Sequence, residues 1–273
     1  MNDKNPTTSA SRRPLGKLKA TVVVCVAVAM LAAAGAIASV AVSRMPAAFA
    51  RRASPRDAST AARPAWRQVG VSVQGRPILM ASFGAGSRHV LVIGGIHGSE
   101  YGSDVAEAFS AWLAANPAAI PKGTRVDVVA CANPDGRAAG KKGNADGVNL
   151  NGNFPTRNWK QQEYLTTTAG PRPGSEPETQ TLMHLLEAGY VRVVSLHSQG
   201  GFIDYDGPGG AALASRISSE SGLPVKKLGP ASLYAGSLGT YVPEHYGIPV
   251  LTFELTSRQM SPQVLAGLLA SVR

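Results

Sequence analysis

Residues 89–100 have the sequence HVLVIGGIHGSE, a continuous apolar run that ends in glycines and then in polar residues. A short run of Val, Leu and Ile without polar alternation is typical of a strand buried on both faces of a sheet. The glycines predict a tight loop directly after that strand. This stretch favours an α/β fold in which the loop carries His97 and Glu100 at the carboxyl end of a buried strand.

The pattern around this stretch alternates between strands and helices. A helix is predicted at 103–115 and a strand at 125–130. Ser175 and Glu178 predict a capping box at the start of another helix. The remaining predicted elements are a hairpin at 71–79, strands at 191–196 and 249–253, and helices at 211–221 and 261–272. We expect a mixed, largely parallel sheet sandwiched by helices.

The N-terminal part of the chain differs from the rest. Residues 1–19 form a basic tail, residues 20–42 are apolar and uncharged, and residues 43–64 have the composition of a flexible linker. The apolar segment is long enough to cross a bilayer, so we expect a transmembrane signal-anchor, or a signal peptide cleaved near Ala50. Because basic residues remain in the cytoplasm, the domain at 65–273 should lie outside it, anchored to the cell membrane or secreted after cleavage.

The positive charge of the chain is concentrated in the same N-terminal part. The net charge is +10, but ten basic and two acidic residues precede Ala65, which leaves +2 on residues 65–273. Nucleic-acid binding requires a basic excess on the folded part. We therefore expect no nucleic-acid partner, and a membrane contact only through the N-terminal segment.

Several predicted strands are followed by side chains of the kind that bind zinc. His97 and Glu100 follow the strand of the opening stretch, and His197 and Glu254 follow two others. Catalytic zinc commonly takes two histidines and a carboxylate and keeps a further position for water. The carboxyl ends of parallel strands meet at one edge of a sheet, so these side chains can converge. The remaining histidines are interpreted as structural residues: His89, His184 and His245.

A set of sequence blocks occurs in the order typical of zinc carboxypeptidases, which this chain resembles. The blocks are GIHGSE (95–100), NPDG (133–136), GVNLNGNFP (147–155), PGSEPET (173–179), SLH (195–197) and TFEL (252–255). Within that family the chain is most similar to the murein peptide amidases, which cleave the γ-D-glutamyl to diaminopimelate bond of cell-wall peptides.

The resemblance implies a zinc metallopeptidase with an eight-stranded mixed sheet. His97, Glu100 and His197 would bind one zinc ion per chain, and Glu254 would be the general base that takes a proton from a water activated by the zinc. The substrate would be a murein-derived peptide. Lys142 stands where relatives place an arginine that stabilises the oxyanion, and we expect it to act as a point charge there.

The substrate-binding blocks depart from the family pattern. The Asn-Arg pair that holds the substrate carboxylate in relatives appears here as Asn151 and Gly152, so the bidentate guanidinium is absent. Asn149 stands where relatives carry an Asp that accepts a hydrogen bond from a zinc-ligating histidine. Asn151 and Tyr234, which resembles the mobile active-site Tyr of the family, are expected to bind substrate. Another cation near the loop could replace the guanidinium, and the candidates are Arg137, Lys141 and Arg157.

Two other functions are compatible with the sequence. A zinc deacylase of the succinylglutamate desuccinylase and aspartoacylase type shares the His-x-x-Glu block and a similar Asn-bearing block, although the blocks at 133–136 and 175–179 favour a peptidase. A catalytically weak, wall-peptide-binding pseudo-peptidase would account for Asn149 and Gly152. The presence of the expected ligands and of Glu254 argues against that second alternative.

Overall fold

Residues 63–198, 200–229 and 234–273 are described by a computed structural model. The predicted basic tail, the transmembrane signal-anchor or signal peptide and nearly all of the linker lie outside these residues. Within the described ranges, no helix has the length and apolar character needed to span a membrane.

A mixed sheet forms the centre of the described part. Its strands are β1 (Arg67–Val71), β2 (Pro77–Gly84), β3 (Arg88–Gly94), β4 (Thr124–Val129), β5 (Arg192–Ser198), β6 (Phe202–Asp206) and β7 (Val250–Leu255). They are ordered β1-β2-β4-β3-β5-β7-β6 across the sheet. Strands β4, β3, β5 and β7 run parallel, whereas β1, β2 and β6 pair antiparallel with their neighbours. The prediction of a mixed sheet is confirmed, and its parallel part comprises β4, β3, β5 and β7.

The expected eighth strand is not found in the described residues, where the sheet has 7 strands. Outside the sheet, this part of the chain forms isolated bridges, such as Val148 with Thr168. Gly147 and Gly170 flank that bridge with φ values of 74° and 86°, a left-handed conformation that turns the chain and stops the pairing from extending. The expectation of eight strands is therefore wrong for this part of the chain.

Helices cover both faces of the sheet. They are α1 (Gly102–Ala115), α2 (Pro134–Ala139), α3 (Pro177–Leu186), α4 (Gly210–Ser221), α5 (Leu238–Tyr246) and α6 (Pro262–Val272), with 3₁₀ turns at Pro117–Ala119 and Leu150–Gly152. Because side chains alternate along β3, Val92 packs with Phe109 of α1 in one core, whereas Ile93 packs with Leu182 of α3 in the other. The sandwich that the sequence predicted is thus confirmed.

The predicted capping box at the start of α3 is wrong. The N-cap of this helix is Glu176, which makes no side-chain capping bond. The Ser175 hydroxyl accepts a hydrogen bond from Asn153 Nδ2 at 3.0 Å and donates to a Glu176 carboxylate oxygen at 2.5 Å. The Ser175 hydroxyl is therefore bonded to Asn153 and Glu176 and does not cap the helix.

Candidate metal centre

The predicted zinc ligands lie at the carboxyl edge of the parallel strands. His97 and Glu100 occupy the loop between β3 and α1. His197 lies near the end of β5, where it pairs across the ladder with Glu254 of β7. The fold thus brings together the residues that the sequence singled out from separate strands.

The three predicted ligands form one buried cluster. Glu100 bridges the two histidines, because its Oε1 lies 2.8 Å from His97 Nδ1 and its Oε2 lies 3.1 Å from His197 Nδ1. The potential ligand atoms all lie within 4.8 Å of one another, and no comparable group of His, Cys, Asp and Glu occurs elsewhere in the described residues. His97 is 6% exposed and His197 is 5% exposed. The donor set and its convergence fit a zinc ion.

The orientation of His97 is set from its other ring nitrogen. His97 Nε2 lies 2.9 Å from Asn149 Oδ1. Since an amide oxygen can only accept, Nε2 carries the hydrogen, and in the neutral ring the Nδ1 lone pair is left for a cation. Asn149 therefore fills the position of a partner that orients a metal-binding histidine, but it adds no negative charge.

The loop that carries His97 is supported by close backbone contact. A Cβ at Gly98 would lie 2.1 Å from the carbonyl carbon of Gly136 in α2, so only glycine fits there. Gly98 N also donates to Lys142 O at 3.3 Å. The NPDG block and the loop with the predicted metal ligands therefore form one unit.

Burial and neighbouring charges shift the pKa values in the cluster. Burial lowers the pKa of His97, in opposition to its hydrogen bond with Glu100. Burial alone would raise the pKa of Glu100, but hydrogen bonds with His197 and His97 hold it well below its usual range. Burial also raises the pKa of Glu254. A neutral imidazole and an ionised carboxylate are the protonation states that bind a divalent cation.

The metal cluster opens into a cavity of about 440 Å³ that Glu254 also lines. The predicted residues Lys142, Asn151 and Tyr234 all line the same cavity. Asn151 Oδ1 accepts a hydrogen bond from Leu238 N at 2.8 Å, which fixes the amide against α5. Tyr234 is 46% exposed. The residues predicted as metal ligands, general base, oxyanion group and substrate contacts therefore all line one cavity.

The cavity also contains a charged group that the sequence analysis missed, which we call the acidic recess: Asp204, Asp206 and Lys227. Lys227 Nζ donates to Asp204 at 3.2 Å and to Asp206 at 2.9 Å. Asp204 pairs with Thr252 of β7, so it projects from the same face of the sheet as Glu254. The alternation of polar and apolar residues along β6 could have predicted that the two aspartates share a face. That pattern can be interpreted only after β6 is identified as a strand.

The candidate cations for replacing a guanidinium at Gly152 are not among the residues that line the cavity. These candidates are Arg137, Lys141 and Arg157. The first of them forms ion pairs with Asp104 and Glu107 of α1. Tyr164 lies beside Gly152, where a Cβ would approach its hydroxyl oxygen to 2.7 Å.

Comparison with known proteins gives consistent matches. Murein peptide amidase A of Escherichia coli strain K12 is 38% identical over 145 residues, which cover 48% of this chain and 58% of that protein. Murein peptide amidase A of Vibrio campbellii is 31% identical over 201 residues, which cover 68% of this chain and 77% of that protein. The match to the E. coli protein thus spans less than two thirds of its length.

The fold gives the same result. The crystal structure of the murein-tripeptide amidase of E. coli O157 has a TM-score of 0.65 at 29% identity, and the match covers 80% of this chain and 96% of that one. The sequence model of the zinc carboxypeptidase family matches residues 61–213, more than half of the chain. This chain therefore belongs to the zinc carboxypeptidase family.

Proposed function

We propose that this chain is a zinc-dependent metallopeptidase of the carboxypeptidase and amidase type that hydrolyses an amide bond of murein peptides. The observation that carries the proposal is the convergence of His97, Glu100 and His197 beside Glu254 in one cavity. Two imidazoles and a carboxylate are the donor set typical of hydrolytic zinc. The names of the similar proteins support the substrate class.

His97 Nδ1, His197 Nδ1 and the Glu100 carboxylate are the groups that would hold the zinc. When bound in such a site, zinc supplies a reactive water at neutral pH and polarises the substrate carbonyl. Burial favours the neutral form of His97, and the two histidines favour the ionised form of Glu100. These are the protonation states that bind a divalent cation.

Glu254 is the proposed general base. It lines the cavity and is the partner of His197 across the β5–β7 ladder. Its carboxylate takes a proton from the attacking water and passes it to the departing amine. Burial raises the pKa of Glu254. A raised pKa improves the second transfer, because proton exchange is most effective when the pKa lies near the working pH.

Lys142, Asn151 and Tyr234 complete the proposed site. Lys142 lines the cavity and can stabilise negative charge that develops on the carbonyl oxygen, as a point charge rather than a bidentate donor. Asn151 is held by its bond from Leu238 N, and Tyr234 lines the opening, so both can contact the substrate.

The charges of the cavity lining suit a murein peptide, which carries carboxylates and a free ammonium group. The acidic recess presents two carboxylates and one ammonium, which leaves a negative excess for a substrate ammonium. Asn151 presents a donor to a substrate carboxylate. A purely apolar ligand would leave these groups without partners.

We also propose that residues 20–42 place the domain outside the cytoplasm, where the cell wall lies. The support for this is the uncharged length of the segment and the basic residues that precede it.

Digestion of purified murein tripeptides and tetrapeptides, followed by mass spectrometry, tests the proposed function. The zinc-loaded chain should release a product whose mass identifies the broken amide bond, and a chelator should abolish the reaction until zinc is restored. Binding without cleavage would support the pseudo-peptidase alternative. Cleavage of N-acyl amino acids in place of murein peptides would support the deacylase alternative.

A further inference from the structure

Three of the residues that line the cavity can donate hydrogen bonds, and we call them the donor wall: Lys142, Asn151 and Tyr164. The donor wall contrasts with the acidic recess, where carboxylates predominate. A wall that presents donors selects a ligand group that accepts hydrogen bonds. Of its members, Tyr164 had no role predicted from the sequence.

Tyr164 occupies space that the missing side chain at position 152 leaves open. A Cβ on Gly152 would lie 2.7 Å from Tyr164 Oη and 3.4 Å from its Cζ. The phenol hydroxyl is therefore at the surface of the 3₁₀ turn that also carries Asn151. The ring is half-buried and lines the cavity.

The loop that carries Tyr164 is tied to the metal centre. Tyr164 N donates to Thr167 O at 2.7 Å, which closes a tight turn. Thr168 N donates to Gly147 O at 3.0 Å, and Asn149 N donates to Thr168 O at 2.8 Å. Because Asn149 contacts His97, the position of the phenol ring is linked to that of a predicted metal ligand through few bonds.

The side chains of Tyr164 and Asn151 each keep hydrogen-bond donors that are available to a ligand. Tyr164 Oη accepts a hydrogen bond from Gln162 Nε2, so its own hydrogen is left to donate. Asn151 uses its Oδ1 as acceptor for Leu238 N, so its Nδ2 hydrogens are left to donate. Both residues line the same cavity.

We propose that Tyr164 Oη and Asn151 Nδ2 together bind a carboxylate of the substrate, in place of a guanidinium at position 152. This inference rests on the proposed function. Both donors are neutral, and Lys142 supplies the positive charge of the wall. A hydroxyl that donates to a carboxylate makes a charge-assisted bond, which is stronger than its bond to a neutral amide. Tyr164 is therefore a specificity-determining residue that favours a free carboxylate.

Calorimetric titration with a murein tripeptide and with its C-terminal amide tests this role. The full chain carrying Glu254→Gln serves as the zinc-loaded, slowly reacting parent. Adding Tyr164→Phe should weaken binding of the free acid by about tenfold, the effect of one lost charge-assisted bond, and should change binding of the amide less. The matched control is Tyr246→Phe, which removes the same atom at the end of α5, outside the cavity lining.

A second variant tests whether position 152 faces the substrate carboxylate and whether another donor can replace the Tyr164 hydroxyl. Gly152→Arg combined with Tyr164→Phe supplies a guanidinium from the position beside the removed hydroxyl, and it should restore preference for the free acid. Equal affinity of parent and Tyr164→Phe for the free acid would overturn the inference and leave the proposed function intact. Absence of binding by the Glu254→Gln parent would contradict the proposed function itself.

Discussion

The contact between His97 Nε2 and Asn149 Oδ1 sets the orientation of His97, one of the predicted metal ligands. It measures 2.9 Å, and Asn149 Oδ1 also accepts from Asn151 N at 3.1 Å. A carboxylate in the same place would accept both bonds and would also make the imidazole a better donor to a cation, because negative charge raises the basicity of the ring. The amide thus keeps the orientation of the ring and, in the proposed metal site, would contribute less electrostatic stabilisation than a carboxylate.

Asn149→Asp should increase zinc affinity. We expect a change of roughly tenfold, the lower end of the effect known for partners that orient metal-binding histidines. Asn149→Leu should decrease affinity, because Nε2 loses its acceptor. Competition with a zinc-binding dye measures both constants. An Asp variant that binds zinc no more tightly than the parent would show that charge at position 149 does not act on the metal.

His197→Ala should remove the zinc that the parent retains. The site would keep only His97 and Glu100, which is fewer than the three protein ligands usual for zinc. Elemental analysis after dialysis against a weak chelator gives the metal content per chain. His184→Ala is the matched control, because the His184 side chain is 80% exposed and pairs with the nearby Glu187. Equal zinc in His197→Ala and parent would remove His197 from the ligand set.

The packing of α1 against β5 positions Glu100, which lies two residues before α1. Gly102, the first residue of the helix, touches the end of β5: a Cβ there would lie 2.2 Å from the carbonyl oxygen of Leu196. Glu100 Oε2 also accepts from Ser198 N at 3.1 Å. The helix start, the strand end and the bridging carboxylate therefore fit together only if position 102 has no side chain.

Gly102→Ala should destabilise the protein and weaken zinc binding. Relief of the overlap requires a backbone shift, which costs about 1–3 kcal/mol or more. Urea unfolding measures the loss. The control is Gly210→Ala at the first residue of α4, where the nearest atom to a Cβ lies at 3.4 Å, an ordinary contact. Equal stability of the two variants would contradict the close packing of α1 on β5.

The elements differ in how far the sequence could predict them. Strands β3, β4, β5 and β7 are apolar runs buried on both faces, which is a strong signal. Strand β6 contains Asp204 and Asp206, which look solvent-facing in the sequence but face the cavity. Helix α5 contains Gly239 and Pro243, which disfavour helix formation, and it depends on capping by Ser237.

Part of the candidate site could be predicted, because several of its residues follow strands that have a strong sequence signal. Residues that end buried strands must meet at one edge of the sheet, so His97, His197 and Glu254 could be grouped from sequence alone. Tyr164 could not be grouped with them, because its position beside Gly152 depends on the path of a long loop. That path is set by backbone hydrogen bonds, which carry no residue-specific signal.

Residues 65–273 should fold without the N-terminal segment. The described residues fall within one compact unit, Pro55–Arg273, and both apolar cores lie inside it. We expect the purified fragment to unfold cooperatively, to bind zinc, and to turn over a murein tripeptide within about twofold of the full chain, as an independent domain does. Aggregation of the fragment beside a well-behaved full chain would contradict this domain boundary.

Turnover of a murein tripeptide by Glu254→Gln, measured against the parent at equal zinc content, is the most direct test of the proposed hydrolysis. Glutamine keeps the size and position of the side chain beside His197 but cannot take a proton from water. We expect unchanged zinc and fold with a turnover lower by roughly 10² or more. Equal turnover of the tripeptide by mutant and parent would contradict this expectation.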